Sequence, residues 1–486
     1  MKNSEILYKR LAFAVIFFAI LLRLIVFFQN RSLFIDEASL SAQVIDKSFA
    51  GLFGNFVDQF APPLFCVLLK AATLIFGSTE LALRFFPLAF GIGAILLFYH
   101  FCKHFLEIKH VIFPLFLFCF SVFMVQYATE AKQYTADTAI ALGALLYCLK
   151  ISPTSIKTKH FFQWGIFGIL SIWFSMPVVF ILFAVGVYYG FSFIQKQNWR
   201  LLLKLSLVIA FWLLSFGIYF FTIIKNDLGI EKLENYHAPF FMPLLPTTSA
   251  DLIKIGNILL SFFRTATGST TVAIGWGIIS VLIGIYFIFK KDKFVVMLIS
   301  LPVLMAIIAS GLQYYSLIPR LTLFFIPIIV LFIGKGTQVL LDAAPKYAKW
   351  LIIFIMTIVV VNQKSYPYFF QRFEIEELRQ VLNYVNENSK PEELKYVHFQ
   401  AENAYVFYSQ FYKYKENCSF ENAIVGLWND RVSQLIINRN ETKIWVIFSH
   451  FDQKEIKKIL AELKDHFEVI DSHEKTGASC YLLKRK

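Results

Sequence analysis

An acidic pair, Asp36-Glu37, stands just after the first apolar run of the chain, Leu11 to Phe28. Carboxylates at such a boundary sit where water, lipid headgroups and the acyl phase meet. There a carboxylate can take a proton from an acceptor while a lipid-anchored donor stays in the bilayer. The local alternative is an N-cap and first-turn acid for a helix at 36–49, favoured by the helix dipole. The two roles are compatible, because a capped helix is a rigid mount.

Other groups with usable chemistry occur at the same kind of boundary. Asp58 precedes Ala61-Pro62-Pro63-Leu64, whose prolines stop one element and fix the entry of the next. Glu80 and Arg84 have the i,i+4 spacing of a helix-surface ion pair, and Arg84 alternatively faces an anionic headgroup. The short loop Gln126 to Tyr134 carries Tyr127, Glu130, Lys132 and Tyr134, and a lysine there suits a phosphate. Tyr315 and Arg320 open a late span; a cation in that place needs water, a carboxylate or a phosphate, and arginine offers bidentate donors to the last. His237 stands alone. The six cysteines lack metal-ligand spacing, and Cys418 and Cys480 are the one pair open to a disulfide.

The elements that position these groups follow from composition. Of 486 residues 57% are hydrophobic and only 16% charged, and 56 are phenylalanine, so lipid is the solvent for most of the chain. The net charge of +13 does not indicate nucleic acid, because the basic residues fall in short loops between apolar runs. Spans are predicted at 11–28, 81–99, 111–127, 134–149, 161–176, 177–194, 201–224, 271–289, 294–311, 321–341 and 348–363. The apolar segment 63–76, with Lys70 inside it, is decided by charge parity. If it does not span, the basic loops 100–110, 150–160, 195–204, 290–293 and 342–350 all lie on the side of the N-terminus, which is then cytoplasmic. Segment 63–76 therefore reads as an interfacial helix with Lys70 snorkelling. The outer face receives 29–80, 128–133, 225–270, 312–320 and everything after 363. Two domains are expected: 1–363 in the membrane, and 364–486 as a small extracytoplasmic α/β domain. In the tail Ile375, Leu378, Leu382 and Val385 keep helical spacing, 396–400, 444–449, 467–470 and 480–483 read as strands, and Asp452 with Glu455 opens a helix.

In their order these pieces resemble the GT-C glycosyltransferases, in the branch of protein O-mannosyltransferases, the aminoarabinose transferase of lipid A and lipopolysaccharide-core transferases. The residues that carry the likeness are Phe34-Ile35-Asp36-Glu37-Ala38, Ala61-Pro62-Pro63-Leu64, Gly77 through Arg84, Tyr127 to Tyr134 and Pro319-Arg320, spread over roughly 10–345. The resemblance implies an α-helical polytopic membrane protein with the GT-C fold, about 11 spans, in the cytoplasmic membrane. It implies an inverting transfer of a sugar from a polyprenyl-phosphate donor to a lipid, glycan or protein acceptor on the outer face. Asp36, with Glu37 beside it, would correspond to the family's catalytic Asp, acting as general base on the acceptor. Lys132, Arg84 and Arg320 would bind the donor phosphate, and Asp58, Glu130, Tyr134 and Tyr315 would line the site. No cofactor is called for; a divalent metal stays open, since Ala61 replaces the His or acidic residue of many relatives. The rival classes are a flippase or transporter, which predicts charges in mid-span and paired halves, and a ligase for lipid-linked saccharides.

Overall fold

The computed structural model describes residues 2–227, 231–428 and 430–486. Every predicted span coincides with helix: Lys2–Phe28, Glu80–Phe105, Ile108–Phe120 with Val122–Gln126, Tyr134–Lys150, Thr158–Phe174, Val178–Gln195, Trp199–Tyr219, Thr271–Lys291, Lys293–Gly311, Ile326–Ala343 and Lys346–Val361. Seven are long and apolar enough to cross a membrane, and the bent pair at 108–129, with a 60° break, makes up to eight. The remaining three, Tyr134–Lys150, Thr158–Phe174 and Lys346–Val361, have 17, 17 and 16 residues. The chain is a polytopic, mainly helical membrane protein.

Two expectations about elements need correction. The outer loop 225–270, apart from 228–230 outside the described residues, contains the 19-residue helix Ser249–Thr267. Thr248 caps it reciprocally with Asp251, and Gly268 ends it at φ +93°. The late span begins at Ile326, so Arg320 lies in the turns 318–325 that precede it and not in its first helical turn.

The chain folds as two compact units. The first comprises Met1–Val26, Phe53–Phe65 and Phe86–Phe370. Its helices Thr271–Lys291 and Ile326–Ala343 meet backbone to backbone. A Cβ on Gly284 would lie 2.2 Å from the Phe332 carbonyl oxygen, and one on Gly336 1.9 Å from that of Ser280. With no hydrophobic gain available between helices in lipid, such close approach supplies the packing that holds spans together.

The second unit comprises Phe27–Leu52, Cys66–Phe85 and Gln371–Lys486. Its sheet has the order β2-β1-β3-β5-β4, with β1 Leu394–Val397, β2 Ala423–Val425, β3 Lys443–Ser449, β4 Phe467–Lys475 and β5 Ala478–Arg485. β1 is parallel to β2 and β3, whereas β5 is antiparallel to β3 and β4. β3 is apolar on both faces because both are covered. Ile444, Val446 and Phe448 join Ile456 and Leu463 of the helix Gln453–Leu463, and the helix Leu378–Asn388 packs on the sheet through Leu378, Val381, Leu382 and Val385. Asp452 caps the helix Gln453–Leu463 by accepting from the Lys454 N–H at 2.8 Å. Cys418 and Cys480 are both free and buried, Cys418 against Asn383 at 3.1 Å.

Lys70 does not snorkel. Its ammonium donates to the carbonyls of Val44, Ile45 and Lys47 at 3.2, 2.8 and 2.5 Å, so it closes the C-terminal end of the helix Ile35–Asp46.

The turn between β4 and β5 depends on one residue. Gly477 has φ +68°, and a Cβ there would lie 2.4 Å from the Ile375 carbonyl oxygen. Gly477→Ala is expected to destabilise this unit by more than about 1 kcal/mol, seen as a lower thermal midpoint of the full chain in detergent. An unchanged midpoint would count against the tight packing of 375–376 on this turn.

Candidate active site

The segment 30–35 enters the helix Ile35–Asp46 with little access to water, so side chains must satisfy its backbone. Three consecutive N–H groups do find side-chain acceptors. Leu33 donates to the Tyr408 hydroxyl at 2.7 Å, Phe34 to Glu37 Oε2 at 3.0 Å, and Ile35 to Glu376 Oε2 at 3.1 Å. The carbonyls are met by arginines. Arg84 Nη1 donates to Arg31 O at 2.7 Å, Arg84 Nη2 to Ser32 O at 3.0 Å, and Arg379 Nη2 to Asn30 O at 2.7 Å. Phe34 has no side-chain acceptor for the helix end, so Glu37, three residues on, reaches back in its place.

Glu37 and Arg84 are the centre of this cradle. Arg84 Nε and Nη2 hold Glu37 Oε1 and Oε2 at 2.8 and 2.7 Å, and Arg31 Nη1 reaches Oε2 at 3.1 Å. Glu37 is fully buried and Arg84 is 1% exposed. The expected i,i+4 pair between Glu80 and Arg84 is not made. Glu80 Oε1 instead takes Arg379 Nη1 at 2.5 Å and the Tyr408 hydroxyl at 3.0 Å. Nor does Arg84 face a headgroup: each of its three nitrogens is engaged by the chain itself. Asp36, one residue before Glu37, is only half-buried.

Against Phe34, two residues before Asp36, stands a group that sequence reasoning missed. His450 bonds Glu376 through Nδ1, and its ring meets the edge of Phe34 at 5.5 Å between centroids. The bond to Glu376 raises the histidine pKa above its usual value; burial opposes this, and the charges of Glu376 and Asp36 add to the rise. No sequence signal marks this residue, since 414 positions separate it from Asp36 and it lies in an unremarkable turn.

The remaining candidates belong to the first unit. Lys132 is 4% exposed and donates to Gln59 Oε1 at 2.6 Å. Gln59 is presented by a tight turn in which Phe56 and Gln59 form an isolated bridge and exposed Asp58 adopts φ +52°. Glu130 accepts from Gln126 at 3.3 Å, and Tyr134 meets Tyr127 edge-on at 4.9 Å. Arg320 Nη2 donates to the Tyr236 hydroxyl at 3.1 Å. Glu130, Tyr134, Arg320 and Tyr236 all act electrostatically on Tyr127, and Arg320 on His237. Tyr315 is buried, with its hydroxyl on Leu321 O at 2.7 Å. One further carboxylate was overlooked here. Asp137, in the first turn of Tyr134–Lys150, is 5% exposed, and its Oδ1 completes no hydrogen bond among the described residues. An ionisable residue inside a span was the available signal. Thus Asp36, Glu37 and Arg84 come together in one unit, and Glu130, Tyr134 and Arg320 around Tyr127 in the other. Among the described residues no three His, Cys, Asp or Glu side chains are grouped to hold a metal ion.

Arg84→Met should destabilise the second unit by about 3–5 kcal/mol, because it leaves a buried carboxylate short of its main partner. Denaturant unfolding of the purified chain measures this. A loss below about 1 kcal/mol, the range of an exposed pair, would mean that the pair is not buried.

No family model matches the chain, and no curated protein matches it. Solved structures do. ArnT from Cupriavidus metallidurans in the apo state is 11% identical, with 99% of this chain and 98% of that chain covered at a TM-score of 0.51. The same protein bound to undecaprenyl phosphate is 9% identical over the same shares, at 0.53. The archaeal oligosaccharyltransferase AglB from Archaeoglobus fulgidus, in complex with an inhibitory peptide and a dolichol-phosphate, is 12% identical, covering 97% of this chain and 74% of that one at 0.50. At such identities the likeness speaks for the fold, and from its first span to its C-terminal sheet this chain has the GT-C fold.

Proposed function

We propose that the protein is an inverting glycosyltransferase that moves a sugar from a polyprenyl-phosphate donor to an acceptor on the outer face of the cytoplasmic membrane. Structures of similar fold carry ligands of that kind: ArnT undecaprenyl phosphate, AglB a dolichol-phosphate and a peptide. The observation that carries the reading is the mount of Asp36. It is half-buried in the first turn of a helix whose entry Glu37 and Arg84 hold in a buried cradle.

In this reading Asp36 is the general base. As the acceptor oxygen or nitrogen bonds to the anomeric carbon, its proton passes to the Asp36 carboxylate. The bond from that carbon to the phosphate oxygen breaks, and the electron pair leaves with the polyprenyl phosphate. Lys132 and Arg320 remain the proposed ligands of the departing phosphate; Glu37 and Arg84 become positioning residues. Asp58, Glu130, Tyr134 and Tyr315 keep their place as proposed lining residues. Residues 1–363 form the membrane domain and 364–486 the extracytoplasmic one.

The topology has its own support. Charge parity assigns 29–80 and the tail to one side of the membrane, and 27–52, 66–85 and 371–486 fold as one unit. A cysteine in place of Ser78 should therefore react with an impermeant maleimide on intact cells. Reaction only after permeabilisation would reverse the orientation.

Asp36→Asn should insert and fold normally yet lower transfer by about 10²–10⁴-fold. Membranes holding their own lipid-linked donor and acceptor provide the assay, with mass spectrometry of surface glycans as readout, compared with a strain lacking the gene. Undiminished product from Asp36→Asn would remove Asp36 from its role.

A further inference from the structure

His450 follows β3 in the left-handed region, at φ +54°, which is uncommon for a residue with a side chain. Its N–H is fixed on the Gly477 carbonyl at 3.1 Å. The same turn grips the segment before the helix Leu378–Asn388. Thr476 O accepts from the Glu377 N–H at 2.9 Å, and the Thr476 hydroxyl donates to Glu374 Oε2 at 2.6 Å. One hairpin turn thus sets both His450 and Glu376. Glu376 then bridges two elements: one oxygen bonds His450 Nδ1, and the other holds the N–H of Ile35, the residue before Asp36. The Phe34 ring closes the arrangement against the imidazole at an interplanar angle of 73°. With Nδ1 committed to Glu376, 43% of the His450 side chain stays accessible.

We propose that His450, set by Glu376, is the positioning partner of Asp36: an imidazolium supplied by the C-terminal domain that holds the Asp36 carboxylate toward the acceptor. The proposal rests on the assignment of Asp36 as general base in glycosyl transfer. His450 keeps its proton throughout the reaction, and the acceptor's proton goes to Asp36. The charged groups acting on His450 are Glu376, from the segment ahead of Leu378–Asn388, and Asp36, from the first turn of its own helix. Phe34 contributes only a ring and Gly477 only a carbonyl. Both charged neighbours are carboxylates, and nearby negative charge favours the protonated imidazole.

The sign of the pH effect follows. A histidine whose pKa is raised carries its charge below that value and loses it as pH rises through it, so transfer should fall on the alkaline side. The test uses the full chain in membranes with endogenous donor and acceptor, and initial rates from about pH 5 to 9, the span that brackets histidine titration. Wild type should show the alkaline fall. His450→Gln should be about 10- to 100-fold slower at low pH, the usual loss on removing an orienting partner, and should show no such fall. His450→Arg, a permanent cation, should recover rate and stay flat. Glu376→Gln should move the fall to lower pH, and in this variant the thermal midpoint reports folding separately. His450→Gln with the wild-type rate and profile, or Glu376→Gln with an unmoved fall, would overturn the positioning role. If instead Asp36→Asn is fully active, the glycosyl-transfer reading itself fails. In parallel, imidazole NMR titration of the chain in nanodiscs should show the His450 pKa dropping in both Asp36→Asn and Glu376→Gln. No change in either would overturn the coupling without reference to any substrate.

Discussion

The contact on which the second unit turns is the buried one between Glu37 and Arg84. A charge removed from water is costly unless its partner is close and its remaining hydrogen-bonding capacity is used. Here both conditions hold. The guanidinium spans both carboxylate oxygens and spends its other donors on the carbonyls of Arg31 and Ser32. Glu37 in turn accepts from Arg31 and from the Phe34 N–H. The pair is therefore less a bond between two side chains than a means of burying a loop. Residues 30–35 turn into the helix Ile35–Asp46 where water cannot serve their backbone, and the ionic groups stand in for it.

This explains why some of the candidates were legible in the sequence and others were not. Span positions follow from runs of apolar residues, a signal carried by each segment alone, and all eleven predicted spans are helical. Four of the five strands and the helices Leu378–Asn388 and Gln453–Leu463 of the tail were visible for the same reason, through period-2 and period-3.6 patterns, whereas the three-residue β2 and the short helices Glu402–Val406 and Val432–Ile437 were not. The helix Ser249–Thr267 was missed although Thr248 and Asp251 spell a capping box, because the whole stretch was read as a connection between spans. Lys70 illustrates the opposite failure. A lysine in an apolar helix suggests snorkelling, but its true partners are helix-end carbonyls about 25 residues earlier in the chain.

The site shows the limit more sharply. Asp36 was found because acid after apolar run is a local pattern. The groups that hold the segment before it were not, because Glu376, Arg379 and Tyr408, like His450, lie more than 300 residues away in a domain with no motif of its own. Glu80 and Arg84 were seen and mispaired. Their i,i+4 spacing is a sound local argument, but it loses to two separate partners, part-buried Arg379 and fully buried Glu37. Local spacing predicts surface pairs well and buried pairs poorly, since burial selects whichever partner also satisfies the backbone.

The ion pairs of this unit link its structure to the proposed chemistry. Glu37, Glu80, Glu374, Glu376 and Glu377 form ion pairs with Arg31, Arg84, Arg372, Arg379 and His450. Of these, the pair of Glu376 with His450 alone depends on a group that titrates near neutral pH, because it is ionic only while the imidazole holds its proton. Asp36, the residue after Ile35, whose N–H Glu376 holds, also acts on that histidine through its charge. In the proposed reaction it works at the half-buried position it occupies, where a proton can be taken from something that arrives from outside the chain.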